Sequence, residues 1–307
     1  ILLQPRRIAV RTIASYLASQ LGESVGHTIG YRIRGEVKVS ANTRLEIVTE
    51  GILTRMLQNQ PDLPDVGLVI FDEFHERSVH ADFSLALCIE VQQALREDLR
   101  LLVMSATLDV TALGELLPAA KLLESSGKSY PVDIIYHPDN SSLHLFEKVS
   151  RLVIYVFPKH QHDCLVFLPG AADINKAAQR LSQHFLSTGE DEVEVVKLFS
   201  ELSKNEQQQA LLPNPAGKRK IVLATNIAET SLTIEGIEVV IDSGIEKKAI
   251  FQLNRGVTHL QSQNISQASA TQRAGRAGRL TAGTCYRLWS KEQHSRLAQQ
   301  ITPEIMH

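Results

Sequence analysis

Leu68-Val69-Ile70-Phe71-Asp72-Glu73-Phe74-His75 joins two signals in one short stretch. Four apolar residues run without alternation and stop abruptly at two carboxylates. A short unalternated run of this kind predicts a strand buried on both faces, as in a parallel sheet. Ligands of open α/β sheets bind beyond the carboxyl ends of the strands. Asp72, Glu73 and His75 therefore stand where a site is expected. Mg²⁺ takes carboxylate and water oxygens in octahedral geometry, so Asp72 is suited to hold the ion through water. The adjacent Glu73 points elsewhere and is suited to orient an attacking water. Phosphoryl transfer needs positioning and charge neutralisation more than covalent chemistry. His75 is placed to sense a γ-phosphate or to couple to a second domain. The bland alternative for Asp-Glu alone is a solvated acidic loop.

The same pattern recurs along the chain. Leu101–Met104 ends in Ser105-Ala106-Thr107, Leu165–Leu168 in Pro169-Gly170, Ile221–Ala224 in Thr225-Asn226, and Val239–Ile241 in Asp242-Ser243-Gly244. Amphipathic stretches such as 82–96 and 171–186 lie between them and supply the crossovers of βαβ units. The fold class expected is α/β with mainly parallel sheets. A chain of 307 residues suits two domains. Turn and linker chemistry clusters at 125–144, in Ser125-Ser126-Gly127, Tyr130-Pro131 and His137–Ser142. The boundary is placed there, giving domains 1–134 and 135–307.

Composition narrows the function classes. Hydrophobic residues make up 43% and charged residues 21%, the balance of a soluble globular chain. The net charge of −2 provides no global basic field. Nucleic acid, if bound, is held by local arginines and backbone amides. Cys88, Cys164 and Cys285 form no Cys-x-x-Cys pair, which argues against a zinc site or disulfide framework. Buried free thiols in a reducing cytosol are expected instead. No run of about 18 apolar residues or signal peptide is present.

Gln272-Arg273-Ala274-Gly275-Arg276-Ala277-Gly278-Arg279 spaces three arginines at i, i+3 and i+6. On a helix this spacing places them near one face. The small residues between them allow close approach to a ligand or another segment. The arginine fork matches phosphate oxygens, and an arginine can stabilise the charge of a transferring phosphoryl group. Two glycines disfavour a free-standing structural helix. Gly127-Lys128-Ser129 is not a phosphate-binding loop. Leu122 stands where Gly-x-x-x-x-Gly-Lys-[Ser/Thr] requires glycine, and Pro131 would break the helix that must follow.

Taken in order, these motifs resemble the DEAH-box helicases of superfamily 2. The resemblance includes the bacterial HrpB group, which carries Asp-Glu-Phe-His where most relatives carry Asp-Glu-Ala-His. Gln4-Pro5-Arg6-Arg7 looks like motif Ia, Thr49–Leu53 motif Ib, Asp72–His75 motif II, and Ser105–Thr107 motif III. Leu165–Gly170 is similar to motif IV, Ala224–Ile234 to motif V, and Gln272–Arg279 to motif VI. One Ser-Ala-Thr is a weak signal, whereas seven motifs in family order across nearly the whole chain are a strong one.

The resemblance implies two tandem RecA-like domains, with ATP and Mg²⁺ as cofactors. It implies that Asp72 holds Mg²⁺, that Glu73 is the catalytic base, and that Gln272 positions water or γ-phosphate. Arg276 and Arg279 become arginine fingers, while Ser105 and Thr107 link hydrolysis to domain movement. Arg6, Arg7, Thr49, Gly51, Thr225, Asn226 and Thr230 line a track for single-stranded RNA, with DNA the alternative polymer, held mainly by its backbone. Asp242 reaches the ribose. In relatives the adenine lies between an arginine and an aromatic, and the matching regions here offer Tyr16 and Leu211. Lys247–Gln263, with Phe251 and His259, resembles the hairpin with which such motors split duplexes.

In the family the phosphate-binding loop precedes motif Ia, which here begins at Gln4. The chain is therefore expected to be a fragment whose first domain is truncated at its N-terminus. It is expected to be inactive alone, with an exposed sheet edge and without the family's C-terminal modules. Two alternatives stand beside the cytoplasmic RNA helicase core: a non-catalytic nucleic-acid or partner-binding module, and a DNA translocase of the same superfamily. A phosphate-binding loop encoded immediately upstream favours the enzyme over the module.

Overall fold

The structure is a computed structural model. It describes every residue except 107–112, 115, 119, 126, 128, 129, 191, 231, 233, 253–255 and 307, together with the side chain of Phe251. Thr107, the Lys128-Ser129 pair, Ser231, Thr233 and the Phe251 side chain thus lie outside the described residues. The chain divides into two compact units, Ile1–Leu123 with Thr302–His307, and Glu124–Ile301.

The first unit is a six-stranded sheet. Its strands are β1 (Leu2–Gln4), β2 (Ile29–Ile33), β3 (Glu36–Lys38), β4 (Leu45–Thr49), β5 (Leu68–Phe71) and β6 (Arg100–Val103), in the order β3-β2-β4-β1-β5-β6. Only β3, which turns back on β2, is antiparallel. Side chains alternate between faces along a strand, and here both faces are covered. Leu2 and Ile47 pack with Val10, Ala14 and Ala18 of α1 (Arg7–Gln20). Leu3, Val48, Val69 and Phe71 pack with Leu53 and Leu57 of α2 (Glu50–Asn59) and with Leu85, Cys88 and Val91 of α3 (Val79–Ala94). This two-sided burial explains why β5 reads as an unbroken apolar run. Ser78 caps α3 by accepting from Ala81 N at 3.1 Å. β6 ends the sheet, with no strand beyond it among the described residues.

The second unit holds an all-parallel sheet. Its strands are β7 (Val132–Tyr136), β8 (Asp163–Phe167), β9 (Val193–Leu198), β10 (Arg219–Ala224), β11 (Ile237–Asp242) and β14 (Gly283–Arg287), in the order β7-β14-β11-β8-β10-β9. On one face Cys164, Val166, Ile221, Leu223, Val239 and Ile241 pack against α4 (Leu145–Val156) and α5 (Ala171–Ser187). Helices α6 (Lys204–Leu211), α7 (Gln267–Ala274) and α8 (Lys291–Ser295) complete the unit. β12 (Ile245–Gln252) and β13 (Val257–Asn264) form a separate antiparallel hairpin, as the sequence led us to expect. All three cysteines are free and buried. Among the described residues no helix is long and apolar enough to cross a membrane.

Candidate functional site

The end of β5 bends sharply. Glu73 takes φ 53°, ψ 34°, and Arg77 also has positive φ at 49°. Left-handed backbone at a non-glycine residue costs about 1–3 kcal/mol and persists only where its surroundings over-determine it. Here Phe74 N donates to Met104 O at 3.1 Å, and Met104 N donates to Phe71 O at 2.7 Å. Phe74 is buried edge-to-face on Phe71. These contacts hold the bend. Oδ1 of Asp72 accepts from Glu73 N at 2.9 Å, and its Oδ2 accepts from Nε2 of Gln4. Nε2 of His75 lies 3.6 Å from Oε2 of Glu73, beyond hydrogen-bond reach, and both ring nitrogens are buried without hydrogen-bond partners.

No group of three or more His, Cys, Asp or Glu among the described residues forms a metal cage. A magnesium ion held by one carboxylate, waters and phosphates does not require one. The donor set fits such an ion. Asp72 is partly exposed and oriented by two neutral donors, and Oε1 of Gln4 beside it is a buried acceptor without a partner.

The other residues singled out in this unit lie on several elements. Arg6 forms a 3.0 Å ion pair with Glu76. Thr49 precedes α2, and a Cβ at Gly51 would meet open space. Arg7 opens α1 and is exposed, and Tyr16 on the same helix is 60% exposed. Ser105 follows β6 by two residues. Glu50 was missed by the sequence reading. Burial, with Glu76 and Glu304 nearby, pushes its carboxyl up to about 7, against the pull of Ser78 and Arg6.

The second unit places Gln272–Arg279 differently from the helical expectation. α7 stops at Ala274, and the following residues make tight turns, with Arg276 N donating to Arg273 O and Gly278 N to Gly275 O. The glycines that weaken a helix permit this turn. A Cβ on Gly278 would stand 2.6 Å from Tyr130 O and from Cγ2 of Val132, so only glycine lets the strand entering β7 pass.

The arginines separate in role. Arg273 is 1% exposed and lies over the Phe167 ring at 4.9 Å. Its Nε donates to Glu229 at 2.8 Å and its Nη1 to Asp242 at 3.0 Å, with Glu246 3.9 Å from Nη2. Burial pulls the guanidinium pKa down, but Asp242 and Glu229 more than offset this and hold it up. Burial pushes the carboxyls of Asp242 and Glu246 up. Asp242 is fully buried, and its Oδ1 also accepts from Gly244 N at 2.9 Å.

Arg276 is 9% exposed and donates to the backbone carbonyls of Glu229 and Leu232. Glu229 thus binds Arg273 through its side chain and Arg276 through its main chain. Arg279 is exposed, and its Nη1 donates to Leu232 O at 3.4 Å. Gln272 is partly exposed on the last turn of α7. Thr225 caps the turn Asn226–Ala228, and Thr230 is buried in the segment that follows. The sequence reading did not find the Arg273, Glu229 and Glu246 association. Its only sequence signal was Arg273 and the acids Glu229, Asp242 and Glu246, carried on three separate segments.

Two family models match the chain. "DEAD/DEAH box helicase" covers residues 2–116, and "Helicase conserved C-terminal domain" covers residues 145–281. The chain is 49% identical over 306 residues to the ATP-dependent RNA helicase HrpB of Escherichia coli (strain K12), covering 100% of this chain and 37% of that protein. It is 39% identical over 294 residues to the ATP-dependent RNA helicase HrpA of Borreliella burgdorferi, covering 95% of this chain and 35% of the relative. A crystal structure described as the Escherichia coli DEAH/RHA helicase HrpB matches with a TM-score of 0.93 at 49% identity, over 99% of this chain and 38% of that one. A second, of the E. coli DExH-box NTPase HrpB, matches with a TM-score of 0.87 over 99% and 37%. The chain spans little more than a third of the length of these relatives.

Proposed function

Because the chain belongs to the DEAD/DEAH box helicase family, with HrpB among its relatives, we propose that it forms the nucleotide- and strand-handling core of an ATP-dependent RNA helicase. Its two units have the RecA-like fold of that family. Asp72 would hold Mg²⁺ through water, and the ion, when bound, would supply neutralisation of charge on the phosphates. Glu73 takes the proton of the attacking water, and His75 senses the γ-phosphate or couples hydrolysis to the second domain. To Arg276 and Arg279 falls stabilisation of the charge that develops on the phosphoryl group, and to Gln272 positioning of the γ-phosphate or water. In place of the expected contact to the ribose, Asp242, which is fully buried and bound by Arg273 and Gly244 N, enters as an anchor for Arg273. Arg6, Arg7, Thr49, Gly51, Thr225, Asn226 and Thr230 hold phosphates of a single strand, so base sequence matters little. On this reading the protein works in the cytoplasm.

The observation that carries this reading is the strained bend at Glu73. It sets a carboxylate beyond a strand end, directly after an aspartate whose oxygens are both oriented by protein donors. The 307 residues contain no Gly-x-x-x-x-Gly-Lys-[Ser/Thr], and that motif supplies the amides and lysine that cradle β- and γ-phosphates. A polypeptide of residues 1–307 alone is therefore proposed to turn over ATP negligibly.

The test measures ATP turnover by the full-length natural protein and by residues 1–307, with and without RNA or DNA single strands of equal length. The reading expects RNA-stimulated turnover by the full-length protein only. Equal stimulation by DNA supports a translocase on either polymer, and no turnover under any condition supports a binding module. Robust turnover by residues 1–307 contradicts the account of the phosphate cradle.

A further inference from the structure

We propose that Gln4 is a positioning residue for magnesium: its amide nitrogen aims Asp72, and its amide oxygen accepts a hydrogen bond from water on the ion. The inference rests on the reading of Asp72 above and adds a residue to which that reading gives no role.

The placement follows from the sheet. β1 lies between β4 and β5, with Leu3 opposite Phe71 and Asp72 N donating to Leu3 O. This register sets Gln4, the last residue of β1, beside Asp72, the first residue after β5. Gln4 is wholly buried. A buried glutamine is stable only where its polar atoms find hydrogen-bond partners. Nε2 of Gln4 is satisfied by Oδ2 of Asp72, whereas Oε1 has no partner.

The chemistry of the vacant acceptor is specific. Water bound to Mg²⁺ points its protons outward and offers donors only, and Mg²⁺ keeps several such waters. A carboxylate that holds the ion through water and a neutral acceptor beside it form a matched outer shell. A glutamine suits the position better than a cationic partner would. Its amide orients the carboxylate without neutralising the charge that attracts the ion, whereas a lysine or arginine would compete with Mg²⁺ for Asp72. Outer-shell partners of metal ligands typically contribute 10–100-fold in affinity.

The experiment titrates Mn²⁺, as the spectroscopic substitute for Mg²⁺, into the full-length natural protein in the presence of ADP. Free Mn²⁺ is read by electron paramagnetic resonance. Wild type, Gln4→Met, Asp72→Asn and the double variant are compared, each checked for folding by circular dichroism. The proposal expects Gln4→Met to weaken Mn²⁺ at least about tenfold, with ADP affinity in the absence of metal unchanged. It also expects no further loss when Gln4→Met is added to Asp72→Asn. Unchanged Mn²⁺ affinity in a folded Gln4→Met variant overturns the proposal and leaves the Asp72 reading standing. Unchanged affinity in Asp72→Asn overturns both. If Gln4→Met does not fold, the wild-type protein with ¹⁵N-labelled glutamine decides the matter. The Gln4 side-chain amide signal should shift when Mg²⁺ joins ADP, and an unmoved signal overturns the proposal.

Discussion

Replacing Arg273 by methionine should destabilise the second unit strongly and in a pH-dependent way. The substitution keeps much of the buried length but removes the guanidinium that faces Glu229, Asp242 and Glu246. Removing one partner of a buried ion pair costs roughly 3–5 kcal/mol, because the remaining charge is left uncompensated. With three carboxylates around one cation, the upper end of that range applies. Protonation offers relief. Asp242 and Glu246 already have their carboxyl pKa values raised by burial, and loss of Arg273 raises them further. A group whose folded pKa lies above its unfolded value binds more protons when folded, so stability falls as pH rises through that interval. Each extra proton held by the folded variant recovers about 1.4 kcal/mol per pH unit. The deficit should therefore be largest near pH 8 and clearly smaller near pH 5.5. Trp289, the only tryptophan in the chain, is buried in the same unit, so its fluorescence in urea reports this unit's unfolding. A loss below about 1 kcal/mol at pH 8, or an equal loss at both pH values, would refute the reasoning. Arg273→Lys, which keeps the charge but not the fork, should fall between wild type and Arg273→Met.

Three further outcomes follow from the same contacts. Raising the Glu50 carboxyl from 4.5 to about 7 makes the folded state lose stability as pH climbs through that window, by roughly 3 kcal/mol. Glu50→Gln should therefore raise the unfolding midpoint of the first unit at pH 8 and leave it unchanged below pH 4, and a uniform shift at both would count against it. Gly278→Ala drives a methyl against Tyr130 O and Val132, an overpacking worth about 1–3 kcal/mol, and an unchanged melting temperature would show that the turn yields freely. Burial pushes the thiols of Cys88 and Cys285 up to about 12, and that of Cys164 higher still. A thiol reagent should label none of the three at neutral pH until the chain is unfolded in urea, and prompt native labelling would contradict this.

Much of the fold was legible because it depends on local pattern. Leu68–Phe71 and Ile221–Ala224 announced buried strands, and the structure has them within β5 and β10. The stretch 171–186 announced a crossover, found as Ala171–Ser187. What escaped depends on strand order. Arg273 meets Glu229 and Asp242 because β10 and β11 both flank β8, and no periodicity in the sequence reports that adjacency. Gln4 meets Asp72 across 68 residues for the same reason. The spacing of Arg273, Arg276 and Arg279 reads as a helix face, but Gly275 and Gly278 turn the chain after Ala274. β7 lay hidden in the turn-rich stretch 125–144, because Ser, Gly and Pro around Val132–Tyr136 outweigh five residues of strand pattern.

The most direct test of the whole account is single-turnover ATP hydrolysis by the full-length protein bound to RNA, wild type against Glu73→Gln. The side chains are nearly isosteric, so the bend after β5 is preserved while the base is removed. A general base contributes about 10²–10⁴-fold. The account predicts that the variant binds ATP about as tightly as wild type and hydrolyses it at least about a hundredfold more slowly. Hydrolysis at the wild-type rate would remove Glu73 from the chemistry and contradict the account.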